Sequence, residues 1–186
     1  AEEKKLQDAL MRLKYAQVPV VSAVQGLALG GGLELILHSA RVVAHLESYL
    51  GLVEVGVGLI PGAGGLKEGA LRCALAAQAA GMTDVFPFIK NWFMNVATAK
   101  VATSALEAKQ MGYLQPADLV VFNTHELLWT AIGTAFALHA SGYRPPHRPK
   151  AFAAAGRPGL ANIKAQLVNM RDGGFISAHD MHLATL

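Results

Sequence analysis

Cysteine is almost absent from this chain; Cys73 is the only one. No disulfide can form within it, which agrees with a reducing compartment. Cys73 falls in an alanine-rich helical stretch, where a thiol packs as a small apolar group. Charge is scarce, at 16% of residues, and the net charge of +3 leans only slightly toward a phosphate-bearing ligand. Aromatic residues make up 7% and do not alternate with basic ones, so no nucleic-acid partner is expected. No charge-free apolar run reaches the roughly 18 residues of a membrane span. The opening Ala-Glu-Glu-Lys-Lys leads into no signal-like apolar stretch, and a cytoplasmic location is expected. The histidines form no His-x-x-x-His pair with an acid between, so no metal site is expected.

What the chain does have is apolar mass. Its 186 residues are 53% hydrophobic, enough for one domain with a sizeable core. Leu6, Ala9, Leu10 and Leu13 are spaced for one face of a helix over 2–15. Pro19 ends it and starts a short buried strand at 20–24. Further strands are expected at 41–44, 49–52 and 119–122, and helices at 31–38, 66–80, 86–100 and 123–140. Ser104 and Glu107 read as a capping box for a helix ending near Gly112. Residues 142–149, Gly-Tyr-Arg-Pro-Pro-His-Arg-Pro, form a stiff connector. A helix over 160–170 follows, and Ser177 with Asp180 caps another. The class is α/β early in the chain and helical later.

Two acids stand in apolar settings beside glycine turns. Residues 26–34 read Gly-Leu-Ala-Leu-Gly-Gly-Gly-Leu-Glu, and Glu34 falls in the first turn of a helix. Glu54 comes twenty residues later, ahead of Gly-Val-Gly-Leu-Ile-Pro-Gly-Ala-Gly-Gly at 56–65. Free N–H groups at a helix start can meet a developing negative charge. A carboxyl buried among apolar groups holds its proton to higher pH, which suits proton transfer. A tight strand-to-helix turn without a ligand explains the glycines equally well. Neither stretch keeps dinucleotide or P-loop spacing: Pro61 stands where a third glycine belongs, and Lys67 is misplaced for a phosphate loop. The residues alone lead to an acid–base enzyme of unspecified reaction.

The run Pro19-Val-Val-Ser-Ala-Val-Gln-Gly-Leu-Ala-Leu-Gly-Gly-Gly-Leu-Glu34 resembles the crotonase (enoyl-CoA hydratase/isomerase) signature. The spacing from Glu34 to Glu54 and on to Pro61-Gly62-Ala63-Gly64-Gly65 is similar too. Tyr49-Leu-Gly-Leu-Val-Glu-Val-Gly-Val-Gly-Leu-Ile-Pro-Gly, Gly142-Tyr-Arg-Pro-Pro and Gly173-Gly-Phe-Ile-Ser look like one branch. That branch is the crotonase region of bacterial multifunctional 3-hydroxyacyl-CoA dehydrogenases of fatty-acid β-oxidation. The resemblance implies a truncated crotonase-like ββα spiral core over 1–141, then the connector and C-terminal helices over 142–186. It implies that Glu34 and Glu54 are the two hydratase glutamates, adding water to a trans-2-enoyl-CoA to give a 3-hydroxyacyl-CoA. Gly31 matches an oxyanion-hole N–H; Gly30, Pro61 and Gly62 match substrate-binding positions. The partner implied is an acyl-CoA thioester, and NAD is expected only in a dehydrogenase region outside these residues.

A crotonase domain carries an earlier half, which supplies the first oxyanion N–H and much of the CoA adenine pocket. That half is not among these residues, and the first residue is not Met. The chain is therefore expected to be a piece of a longer one, inactive alone, and to self-associate as a homo-oligomer through uncovered apolar faces. An isomerase, in which the acid at the position of Glu54 shuttles a proton alone, is the second reading. A non-catalytic assembly or CoA-binding domain is the third.

Overall fold

The structure, a computed structural model, describes residues 2–186 of the chain. Its centre is a three-stranded, all-parallel sheet in the order β1-β2-β3: Val21–Leu29, Arg41–Gly51 and Leu119–Val121. Around it lie α1 (Glu2–Lys14), α2 (Gly31–Leu37), α3 (Gly65–Ala79), α4 (Phe86–Ala97), α5 (Ala105–Gln110) and α6 (Leu127–Ala140). The connector then leads to α7 (Gly156–Asp172) and α8 (Ala178–Leu183). Among the described residues, no helix is long and apolar enough to cross a membrane.

β2 is apolar on both faces because both are covered. Val42, Ala44 and Leu50 join Leu33, Ile36 and Leu37 of α2 and Cys73, Ala74 and Ala77 of α3 in the main core. Val43, on the opposite face, packs with Val121, Leu127 and Ala131 under α6. Trp92 of α4 meets Tyr113 edge-on, with centroids 5.3 Å apart, and roofs the main core over Gly69 of α3. Cys73 is buried there, as its alanine-rich setting predicts.

Several expected boundaries move for identifiable reasons. The strands expected at 41–44 and 49–52 are one strand. Pairing runs Val24↔Ala44 and then Gly26↔Ser48, so β2 spends extra residues on a bulge between its halves. There Glu47 N–H donates to His45 Nδ1 (3.2 Å) and Ser48 Oγ donates to the Val24 carbonyl (3.2 Å). β1 runs on past residue 24 to Leu29, crossing the register shift at Gly26 with φ 69°. α7 starts at Gly156 rather than 160, because Pro158 falls in its first turn, where a missing N–H is harmless. Ser104 accepts from Glu107 N–H (3.1 Å), but the Glu107 carboxylate reaches back to Thr103, so the expected box closes at one end only. At Ser177 and Asp180 both ends close. On α1 Leu10 is buried, whereas Leu6 is exposed.

Candidate active site

The glycine turn links β1 to α2. Gly30 has φ 55° and ψ −124°, a conformation that L side chains avoid. Its N–H donates to the Gly51 carbonyl (2.8 Å), and its own carbonyl accepts from Glu34 N–H (3.0 Å). A Cβ on Gly30 would stand 3.2 Å from Glu54 Oε1, so the turn also needs glycine for room. The N–H groups of Gly31, Gly32 and Leu33 precede that first intrahelical bond, and Gly31 is exposed.

Glu34 is buried, at 2% exposure. Its Oε1 accepts from Gly65 N–H at 2.8 Å, the first N–H of α3 and the positive end of that helix. Glu54 opens a 3₁₀ turn, Glu54–Val57, at the far side of the same space. Burial pushes the Glu54 carboxyl above the ordinary carboxylate value; the nearby backbone of Glu54 itself and of Val53 works against the rise, and the charge of Glu34 adds to it. Glu54 Oε2 is buried with no hydrogen-bond partner among the described residues. A buried acceptor left without a donor costs about 1–3 kcal/mol, which a ligand group or water with a proton to give would offset. The pair thus divides its work: one carboxylate is anchored, the other is free and proton-retaining, and a helix start opens beside them.

Pro61 is buried on the wall of an apolar cavity of about 250 Å³, shared with Val55, Leu66, Trp92, Val96 and Leu183. Gly62 lies beneath α1: its carbonyl accepts from Gln7 Nε2 (2.6 Å), and Glu3 fills the space where a Cβ would go. The fold therefore brings Glu34, Glu54 and the Gly30–Gly31 turn to one place. Pro61 faces a neighbouring apolar space, and Gly62 is roofed by the first helix.

Sequence reasoning missed what stands behind Glu34. Glu68 of α3 is buried at 2% exposure, between Lys14 Nζ at 2.6 Å from Oε2 and Lys67 Nζ at 2.7 Å from Oε1. The Lys67 contact is an ion pair without the alignment of a directed hydrogen bond. Burial works to raise the Glu68 carboxyl, but the two lysine ammonium groups beside it, with Lys14 also hydrogen-bonded, outweigh it and hold the pKa below the ordinary value. Burial lowers the ammonium of Lys14 in spite of Glu68, and lowers the imidazole of His38 in spite of the Glu34 carbonyl and Glu68. One signal was available: His38 follows Glu34 by four residues, so both share a helix face.

Likeness to known proteins extends over sequence and fold. The family model described as enoyl-CoA hydratase/isomerase matches residues 1–85. A Bacillus subtilis protein named as a probable 3-hydroxyacyl-CoA dehydrogenase is 39% identical over 181 residues. That match covers 97% of this chain but only 22% of the relative, so the chain spans about a fifth of its length. The human peroxisomal bifunctional enzyme is 57% identical over 49 residues, covering 26% of this chain and 7% of that protein. Among solved structures, an enoyl-CoA hydratase of Bacillus anthracis superposes over 98% of this chain and 57% of its own, with a TM-score of 0.56 and 23% identity. A Thermobifida fusca chain solved in complex with CoA gives a TM-score of 0.57 at 18% identity, covering 98% of this chain and 57% of that one. At such identities the structural likeness establishes the fold, which is crotonase-like. Residues 1–85, which carry both glutamate segments, match the enoyl-CoA hydratase/isomerase family, and the sequence likeness to the Bacillus subtilis relative runs on to nearly the whole chain.

Proposed function

We propose that Glu34 and Glu54 form the acid–base half of an enoyl-CoA hydratase site, within a multifunctional 3-hydroxyacyl-CoA dehydrogenase of fatty-acid β-oxidation. The observation that carries this reading is the anchored Glu34 facing a free, proton-retaining Glu54 beside the glycine turn. The names of the relatives support the substrate class.

In this reading the two carboxylates hold a water over the double bond of a trans-2-enoyl-CoA. One takes a proton from the water as its oxygen bonds to C3. A proton is delivered to C2, and the product is the 3-hydroxyacyl-CoA. Between those events the thioester carries enolate character, and Gly31 N–H stabilises its oxygen. One such donor is worth about 3–4 kcal/mol of barrier. The acyl tail runs into the apolar cavity beside Pro61. Neither glycine stretch fits a dinucleotide, so these residues are assigned no nicotinamide step. Self-association is part of the same proposal, through exposed Phe122, Trp129 and Phe136.

One observation favours an isomerase as the second reading. Glu34 is tied to Gly65, which leaves Glu54 free to carry a proton between C2 and C4 alone.

Crotonyl-CoA decides between them, with binding followed by calorimetry and hydration by loss of the conjugated enoyl-thioester absorbance. The chain is expected to bind it and to hydrate it far more slowly than an intact hydratase, with Glu34→Gln and Glu54→Gln each removing turnover. Tolerance of Glu34→Gln with double-bond migration in a 3-enoyl-CoA would support the isomerase. Absence of both binding and hydration would overturn the proposal.

A further inference from the structure

The groups gathered around the buried Glu68 carboxylate, behind Glu34, come from three separate elements. Lys14 ends α1, His38 follows the last residue of α2, and Lys67 and Glu68 lie in the first turn of α3. All of them converge on the Glu68 carboxylate: Lys14 at 2.6 Å, Lys67 at 2.7 Å and His38 Nε2 at 3.5 Å. The other ring nitrogen meets the backbone of Glu34. His38 Nδ1 lies 2.6 Å from the Glu34 carbonyl oxygen, which can only accept, so Nδ1 carries the proton. That leaves Nε2 as an acceptor, and Lys67 Nζ stands 3.3 Å from it.

The same contacts set the start of α3. The His38 ring is seated so closely on Gly64 that a Cβ there would lie 3.0 Å from Cε1. Glu68 N–H donates to the Gly64 carbonyl at 2.9 Å, and the next residue, Gly65, gives its N–H to Glu34. Glu34 is thus gripped at two points, its carboxylate by Gly65 and its carbonyl by His38, and both grips lead to Glu68.

We propose that the Lys14–Glu68–Lys67–His38 cluster is a positioning device that holds the first turn of α3 against α2 and thereby fixes the Glu34 carboxylate on Gly65 N–H. Stability alone is a poor reason for such a cluster, because apolar groups of the same volume often do as well or better in a core. Directed bonds at both ends of one catalytic turn are what apolar packing lacks. The titratable and charged groups facing this region are Lys14 from α1, the neutral His38 at the end of α2, Glu54 from the 3₁₀ turn, and Lys67, Glu68 and Arg72 from α3. The effect on turnover rests on the hydratase reading; the effect on the Glu34–Gly65 bond does not.

The test is made on the full chain with Lys14→Met, Lys67→Met, Glu68→Gln and the conservative Lys14→Arg. Amide NMR reads the Gly65 proton shift and its exchange with solvent. In Lys14→Met and Glu68→Gln the Gly65 amide is expected to move upfield and to exchange at least about 10-fold faster, as local opening predicts. The amide of Ala131 on α6 keeps its protection, and Lys14→Arg restores Gly65. In crotonyl-CoA hydration, kcat falls by about 10- to 100-fold with little change in KM, the cost of a misplaced catalytic group. If Glu68→Gln does not fold, the two lysine variants decide. An unchanged Gly65 amide in folded Lys14→Met and Lys67→Met overturns the proposal. So does equal loosening of Ala131, which would mark general stability. Altered Gly65 in a parent that neither binds nor hydrates crotonyl-CoA would leave the positioning role standing and overturn the hydratase reading.

Discussion

Gly65→Ala adds one methyl group at the point where Glu34 is anchored, and the structure says what that methyl meets. It would stand 3.0 Å from Leu52 Cδ2 and 3.1 Å from both Cγ and Oε1 of Glu34, against ordinary contacts of 3.4–4 Å. Leu52 is fully buried and Glu34 nearly so, so neither has solvent to retreat into. Each must give by about 0.3–0.4 Å, and overpacking of this kind costs about 1–3 kcal/mol. Alanine at a helical position recovers up to about 1 kcal/mol of backbone entropy. A net loss of about 1–2 kcal/mol follows, lowering Tm by about 2–8 °C for a chain of this size. For activity, a 1 Å misplacement costs about 100-fold, so a displacement of about 0.3–0.4 Å costs about 4- to 6-fold in kcat. Gly133→Ala is the matched control: it lies within α6, has open space around its Cβ, and should gain about 0.5–1 kcal/mol with turnover unchanged. Urea unfolding and crotonyl-CoA hydration measure both. If Gly65→Ala were as stable as Gly133→Ala and as active as the parent, the placement of Glu34 on Gly65 would be refuted.

Other substitutions probe the remaining parts. Gly31→Pro keeps the first helical position acceptable but deletes the N–H; circular dichroism should change little while kcat falls about 10²- to 10³-fold. Glu54 has a raised folded-state pKa, so the folded chain holds more protons than the unfolded one between the ordinary carboxylate value and the raised value. Stability therefore falls as pH climbs through that window, and Glu54→Gln should abolish the fall in urea titrations across pH. Gly69→Ala drives a methyl into the Trp92 indole, which should cost about 3 kcal/mol and quench or shift tryptophan fluorescence; an unchanged urea midpoint would contradict the packing.

The elements with strong local signals were legible. Alternation of apolar runs with turn residues located the strands and most helices, and Ser177 with Asp180 formed the expected cap. The bulge in β2 was not legible, because His45 and Glu47 break the apolar run in the way a loop does, and only pairing with β1 carries the strand through. At the site, Glu34, Glu54 and the glycine turn stood out because acids are rare among apolar neighbours. Glu68 did not stand out. In sequence it looks like an ordinary first-turn acid favoured by the helix dipole. Its burial depends on a lysine 54 residues earlier and a histidine 30 residues earlier, and no local pattern encodes such distances.

That distance also orders events during synthesis. At about 5–20 residues per second, the ribosome needs roughly 3–11 s between making Lys14 and making Glu68. Throughout that interval Lys14 has no Glu68 to close on, and for most of it Gln7 has no Gly62 carbonyl to meet. The helix that clamps the site is made early and docks late, so a nascent chain stalled before residue 68 should leave α1 open to protease, and one stalled well beyond it should not.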